Sequence, residues 1–327
     1  MIDTISVAAS NLLSPMVLFF ALGFAAALAR SDLSIPEPIA KAISLYLMLA
    51  IGFKGGAGFA GSGISATLLA TAAAGIALSF LLPFLTYALA RGVARIGPID
   101  AAAVAAHYGS ISIVTFVSAC EFLHMLDIPF EGYMVAVMAL METPAIVSGL
   151  WLARRHLRRP DGAPGGGQVL HEVFLNGSVV LLTGSFVIGA ITGDKGMSTI
   201  APFIDAPFKG VLCFFLLDMG LIAANKLHGT RTLSPRLVLF GLLMPLLGGA
   251  IGIGLGAGLG LSLGGTALFG VLGASASYIA VPAAIRLALP EANPAIYVTL
   301  SLAITFPFNL TLGIPLYLAT ARWLTGA

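Results

Sequence analysis

Ala106-His107-Tyr108-Gly109-Ser110-Ile111-Ser112-Ile113-Val114 and Leu272-Gly273-Ala274-Ser275-Ala276-Ser277-Tyr278-Ile279 each set a glycine and alternating serines in the middle of an apolar run. Glycine and serine weaken a helix, and hydrocarbon offers no water to the backbone N–H and C=O groups that a weakened helix releases. Such breaks are tolerated only where they line a cavity or are buried in protein. Residues 109–112 and 273–277 are therefore read as helix breaks inside a membrane protein.

The flanks of the two stretches match in the same order. Ser34-Ile35-Pro36-Glu37-Pro38-Ile39 and Ile200-Ala201-Pro202-Phe203-Ile204-Asp205-Ala206-Pro207 each lead into an apolar span well before the serine motif. Met141-Glu142-Thr143-Pro144-Ala145-Ile146 and Ile304-Thr305-Phe306-Pro307-Phe308-Asn309 follow it, each with a threonine, a proline and one polar side chain. Counting apolar runs between breakers gives spans near 12–29, 39–53, 64–90, 99–120, 133–153, 173–193, 207–224, 237–261, 263–285 and 294–321. Five spans per unit is an odd number, so the second unit must enter the bilayer upside down, as in alternating-access carriers. The expected fold is an all-α integral membrane protein of about ten transmembrane helices in two inverted five-helix repeats. The repeats cover 1–153 and 172–327, joined by a basic, glycine-rich cytoplasmic linker at 154–171.

Composition agrees. Of 327 residues 58% are hydrophobic and 9% charged, where soluble domains run near a quarter charged. Residues 1–10 carry Asp3 and no Lys or Arg, so the first run reads as a retained span rather than a cleaved signal. With both termini outside, the inner loops hold Arg30, Lys41, Arg91, Arg95, Arg154, Arg155, Arg158, Arg159, Lys226, Arg231, Arg236 and Arg286, twelve of sixteen basic residues. Only Lys54, Lys195, Lys209 and Arg322 lie outside, which fits the positive-inside bias of a bacterial inner membrane. Residues 121–131 read as an acidic outer loop with Glu121, Asp127 and Glu131. Cys120 and Cys213 fall in apolar spans without metal or redox spacing. The net charge of +2 is scattered at span ends and points to no nucleic-acid partner.

Two broken helices meeting near the midplane present half-helix N-termini, hence N–H groups and positive dipole ends, to one small anion. Ser110, Ser112, Ser275 and Ser277 would complete such a site; small residues serving close helix packing are the competing explanation. Glu142 is expensive in hydrocarbon unless it faces the bundle interior, and is read as a cation ligand or proton-linked group. Asp218 stands between an ion-site role and a structural pair with Lys226. His107 stands between titration and packing, and Asn309 between ion contact and an interhelical hydrogen bond. No H-E-x-x-H, paired intramembrane aspartates or Ser/His pair at protease-like spacing appears, which argues against an intramembrane enzyme.

Residues 107–116, 141–145 and especially 275–294 (SASYIAVPAAIRLALPEANP) resemble the sodium-dependent bicarbonate permease family. The resemblance covers nearly the whole chain and implies a core domain beside a gate or scaffold domain, a homotrimer, and bicarbonate uptake with sodium as the coupling ion. It places the anion at Gly109, Ser110, Ser112 and Thr115 in the first motif and at Ser275 and Ser277 in the second. The chain departs from cyanobacterial members in carrying Tyr278 where they have an aspartate, and Glu142 where they have another. Glu142, Tyr278 and Asn309 are the candidate cation ligands. Family members also bind a small PII-like regulator from the cytoplasmic side. The alternatives are a carrier of another small anion, such as a monocarboxylate, coupled to sodium or protons, and a non-transporting membrane sensor.

Overall fold

The computed structural model describes residues 11–62, 65–155, 177–229 and 234–326. Among them every regular element is a helix, and a helix lies on each apolar run. In chain order they are α1 (Pro15–Leu28), α2 (Glu37–Ser62), α3 (Ala66–Leu89), α4 (Pro98–Gly109), α5 (Ile113–Met125), α6 (Met134–Leu140) and α7 (Pro144–Arg154). Then come α8 (Gly177–Ile204), α9 (Phe208–Gly229), α10 (Pro235–Gly258), α11 (Leu263–Ala274), α12 (Ala280–Ala288) and a last rod, α13 (Pro294–Thr325). Seven stretches among the described residues are long and apolar enough to cross a membrane, with α1 and α11 apolar but shorter.

The starts follow from side-chain caps. Ser14, Ser65, Ser234 and Ser262 each accept from the N–H three residues on, giving an orphan donor of the first turn a partner. Pro15 and Pro235 stand in first turns, where their missing N–H costs nothing.

Two groups of helices result. In one, α2 packs along α8 and α1 along α9. A Cβ on Gly56 would strike the Phe186 carbonyl, one on Gly189 the Phe53 carbonyl, and one on Gly220 the Phe20 carbonyl. Glycine is what lets these backbones touch, and in lipid close packing is a main source of helix association. In the other group α3 and α7 flank α4, and α10 and α13 flank α11. Outward-facing Leu69, Leu81 and Ile191 are left to the lipid.

Three features depart from the sequence reading. Glu121 is not in a loop: it sits in α5 and is only 4% exposed. The run at 133–153 is broken at Met141-Glu142-Thr143, ahead of Pro144, giving a third interruption. The last rod widens to π geometry at Thr299–Thr305 and Asn309–Gly313. The linker expected at 154–171 lies outside the described residues from 156 onward.

Candidate functional site

The first break begins where α4 ends. Ser110 turns to extended backbone (φ −90°, ψ 150°) and Ser112 caps α5, its Oγ accepting from the Thr115 N–H at 3.3 Å and the Thr115 hydroxyl at 2.9 Å. In the second break Ser275 is likewise extended (φ −83°, ψ 162°) and α12 resumes at Ala280. The freed backbone groups find partners across the gap. The Ser112 N–H donates to Ser275 Oγ at 3.0 Å, and the Ser277 N–H donates to the His107 carbonyl at 2.8 Å. The breaks are thus tied to each other, satisfying donors that hydrocarbon would strand.

The third break is held the same way. Ser79 Oγ donates to the Met141 carbonyl at 2.5 Å, and Ser110 Oγ donates to the Glu142 carbonyl at 3.0 Å. Glu142, Ser112, Ser277 and Tyr278, with Met48, Ile111, Ile113 and Ile279, then line one small cavity. Within it the centre of a water-sized sphere has about 10 Å³ to move in, room for one such particle. Glu142 is 2% exposed, its Oε2 has no hydrogen-bond partner, and neither has the Tyr278 hydroxyl. No Lys, Arg or His lines the cavity. The starts of α5 and α12 reach it at Ile113 and Ile279, so two partial positive dipole ends, two serine hydroxyls, a phenol and a carboxylate converge on one small space.

The other predicted residues do not line this cavity. Ser110, Thr115 and Ser275 brace the breaks through the bonds above. Gly109 allows close approach, since a Cβ there would strike Pro83 and lie 2.9 Å from Ala145 Cβ. Asn309 is an interhelical bonder: its amide donates to the Ala274 carbonyl at 2.9 Å and accepts from the Tyr317 hydroxyl at 2.8 Å, pinning α13 to the end of α11. His107 donates from Nδ1 to the Ala103 carbonyl at 2.7 Å and stacks on Tyr297 at 4.4 Å, behind the crossing. Asp218 is buried on α9, in the other helix group. The sequence reading missed the apolar walls Met48, Ile111, Ile113 and Ile279, because an aliphatic side chain inside an apolar span carries no signal of its own. It also missed the third break, which Pro144 behind Thr143 announces.

A family model described as the Na+-dependent bicarbonate transporter superfamily matches residues 15–322. Among curated proteins none matches the chain.

Proposed function

The chain belongs to the Na+-dependent bicarbonate transporter superfamily, and from that membership and the small cavity at the crossing we propose that this multi-pass membrane transporter is a sodium-coupled bicarbonate symporter working by alternating access. The observation that carries the reading is the partnerless, buried Oε2 of Glu142 in a cavity shared with the Ser112 and Ser277 hydroxyls. A buried carboxylate without a counter-charge is costly, so the site asks for a cation. Sodium there takes oxygens from Glu142, Tyr278 and Ser112, and its charge favours a monoanion at the α5 and α12 starts beside Ser277 in a state of the cycle wider than this one, which admits a single water-sized particle.

An inside-negative potential of 100 mV opposes entry of one monoanion by about 2.3 kcal/mol and favours one sodium by the same amount. One-to-one symport is electroneutral, and the sodium gradient drives it. The scaffold of this reading is ten spans in two inverted repeats, 1–153 and 172–327, in an inner membrane with both termini outside. The matched order of packing supports it, α3 on α4 and α4 on α7 in one half, α10 on α11 and α11 on α13 in the other. Here α1, α2, α8 and α9 form the gate, and a homotrimer with a PII-like cytoplasmic regulator is carried over from the family resemblance.

One observation favours a second reading. The cavity admits a single water-sized particle and holds no basic side chain, so a proton on Glu142 neutralises it as well as sodium does. Uptake of labelled bicarbonate into proteoliposomes, with an inward sodium gradient or with potassium and an inward proton gradient, separates the two. Sodium-dependent accumulation is expected; accumulation driven by protons alone moves the coupling to Glu142 protonation, and no uptake in either sinks bicarbonate as the cargo.

A further inference from the structure

Beyond the crossing lies a second chamber of about 150 Å³, built on the same two helices. On α2, Ile51 and Lys54 follow Met48 at one-turn intervals; on α5, Phe116, Val117, Cys120, Glu121 and His124 continue from Ile113. Phe130 and Phe208 complete mostly apolar walls, in which any charge acts at longer range than in water.

Its charged groups are unusually placed. Glu121 is 4% exposed and its Oε2 makes no hydrogen bond. Lys209 Nζ and His124 Nδ1 each stand 3.6 Å from a Glu121 oxygen, within ionic reach but beyond hydrogen-bonding distance. Lys54, which lines the chamber, holds Asp205 at 2.6 Å and lies over the Phe208 ring at 4.6 Å, and its ammonium carries three N–H donors in all. A buried acceptor lacking a donor thus shares an apolar chamber with an ammonium that has donors to spare.

We propose that this chamber is a second, selecting site for the cargo, taking a small oxyanion that keeps its own hydroxyl: its O–H donates to Glu121 while its anionic oxygens accept from Lys54. Bicarbonate has this chemistry; nitrate, equally planar and singly charged, lacks the hydroxyl and leaves two acceptors facing each other. The assignment rests on bicarbonate as the cargo. It adds that discrimination happens before the crossing, where a site built around a substrate hydroxyl rejects the analogue without it.

Cys120 lines the chamber, and with Cys213→Ser it is the chain's only thiol. The test is the rate at which a small water-soluble thiol reagent modifies Cys120 in the full-length reconstituted protein, against rising bicarbonate or nitrate at fixed pH. Bicarbonate is expected to slow labelling at a concentration on the order of tenfold or more below that of nitrate, as a hydrogen bond to a charged acceptor implies. Glu121→Gln narrows that gap, because a neutral amide oxygen replaces the charged acceptor, and Lys54→Gln weakens both anions alike. Equal protection by the two anions in the Cys213→Ser protein overturns the proposal, as does a gap undiminished by Glu121→Gln or a Cys120 that reacts only after unfolding. The comparison of anions needs neither substitution in the chamber, so a misfolded variant leaves it decisive. Protection is read without transport: selective protection with no bicarbonate uptake would sink the symport reading alone, and uptake without protection would sink the chamber alone.

Discussion

At the scale of single residues, Glu142 and Ser112 separate coupling from architecture. Glu142→Gln keeps the shape and removes the charge, so we expect sodium stimulation of uptake to fall by about tenfold or more, with the thermal unfolding temperature in detergent unchanged or raised because a lone buried carboxylate is gone. A sodium dependence equal to that of the parent would refute the cation role. Ser112→Ala instead removes the acceptor for the Thr115 N–H and hydroxyl, and a lost cap costs about 1 kcal/mol. Its unfolding temperature should drop, and it should lose uptake even where it folds, because the same hydroxyl lines the cavity. These residues were legible in the sequence because serine and glutamate are conspicuous in hydrocarbon. Glu121 was misplaced for the opposite reason: a charge near a span end reads as a loop until Lys209, distant in sequence, is brought beside it by folding.

Among elements, the glycines decide how closely helices approach. A methyl group on Gly56 has no room against the Phe186 carbonyl of α8, whereas one on Gly254 of α10 meets nothing within 4 Å. Gly56→Ala should therefore lose about 1–3 kcal/mol, read as a clear fall in unfolding temperature, while Gly254→Ala should be neutral or slightly stabilising through helix propensity. Equal effects would mean that the α2–α8 approach contributes little. Both serine breaks could be read from composition, since glycine and serine weaken any helix. Their register could not, because the Ser112 to Ser275 bond joins positions 163 apart and nothing local specifies it. Nor does the sequence mark the π widening at Thr299–Thr305 and Asn309–Gly313, where an extra residue per turn is absorbed without a glycine inside the first stretch.

For the whole molecule, the proposed cycle requires α1, α2, α8 and α9 to shift against the helices that carry the breaks. The groups meet closely where a Cβ on Gly58 of α2 would stand 3.3 Å from Gly132 Cα, just before α6. A Gly58→Cys, Gly132→Cys pair should lose uptake on oxidation and recover it on reduction, measured on the same vesicles; transport unaffected by a verified cross-link would exclude sliding at this contact. That two groups exist was implied by family resemblance and not by hydropathy, which sees each span alone. The strap between the breaks also has a consequence for biosynthesis. During synthesis the donor at Ser112 exists long before its acceptor, and at about 5–20 residues per second the wait for 163 further residues is roughly ten to thirty seconds. The nascent first half must spend that interval with its break sheltered by water or by the insertion machinery, so the membrane receives a finished transporter only when the second half arrives to close it.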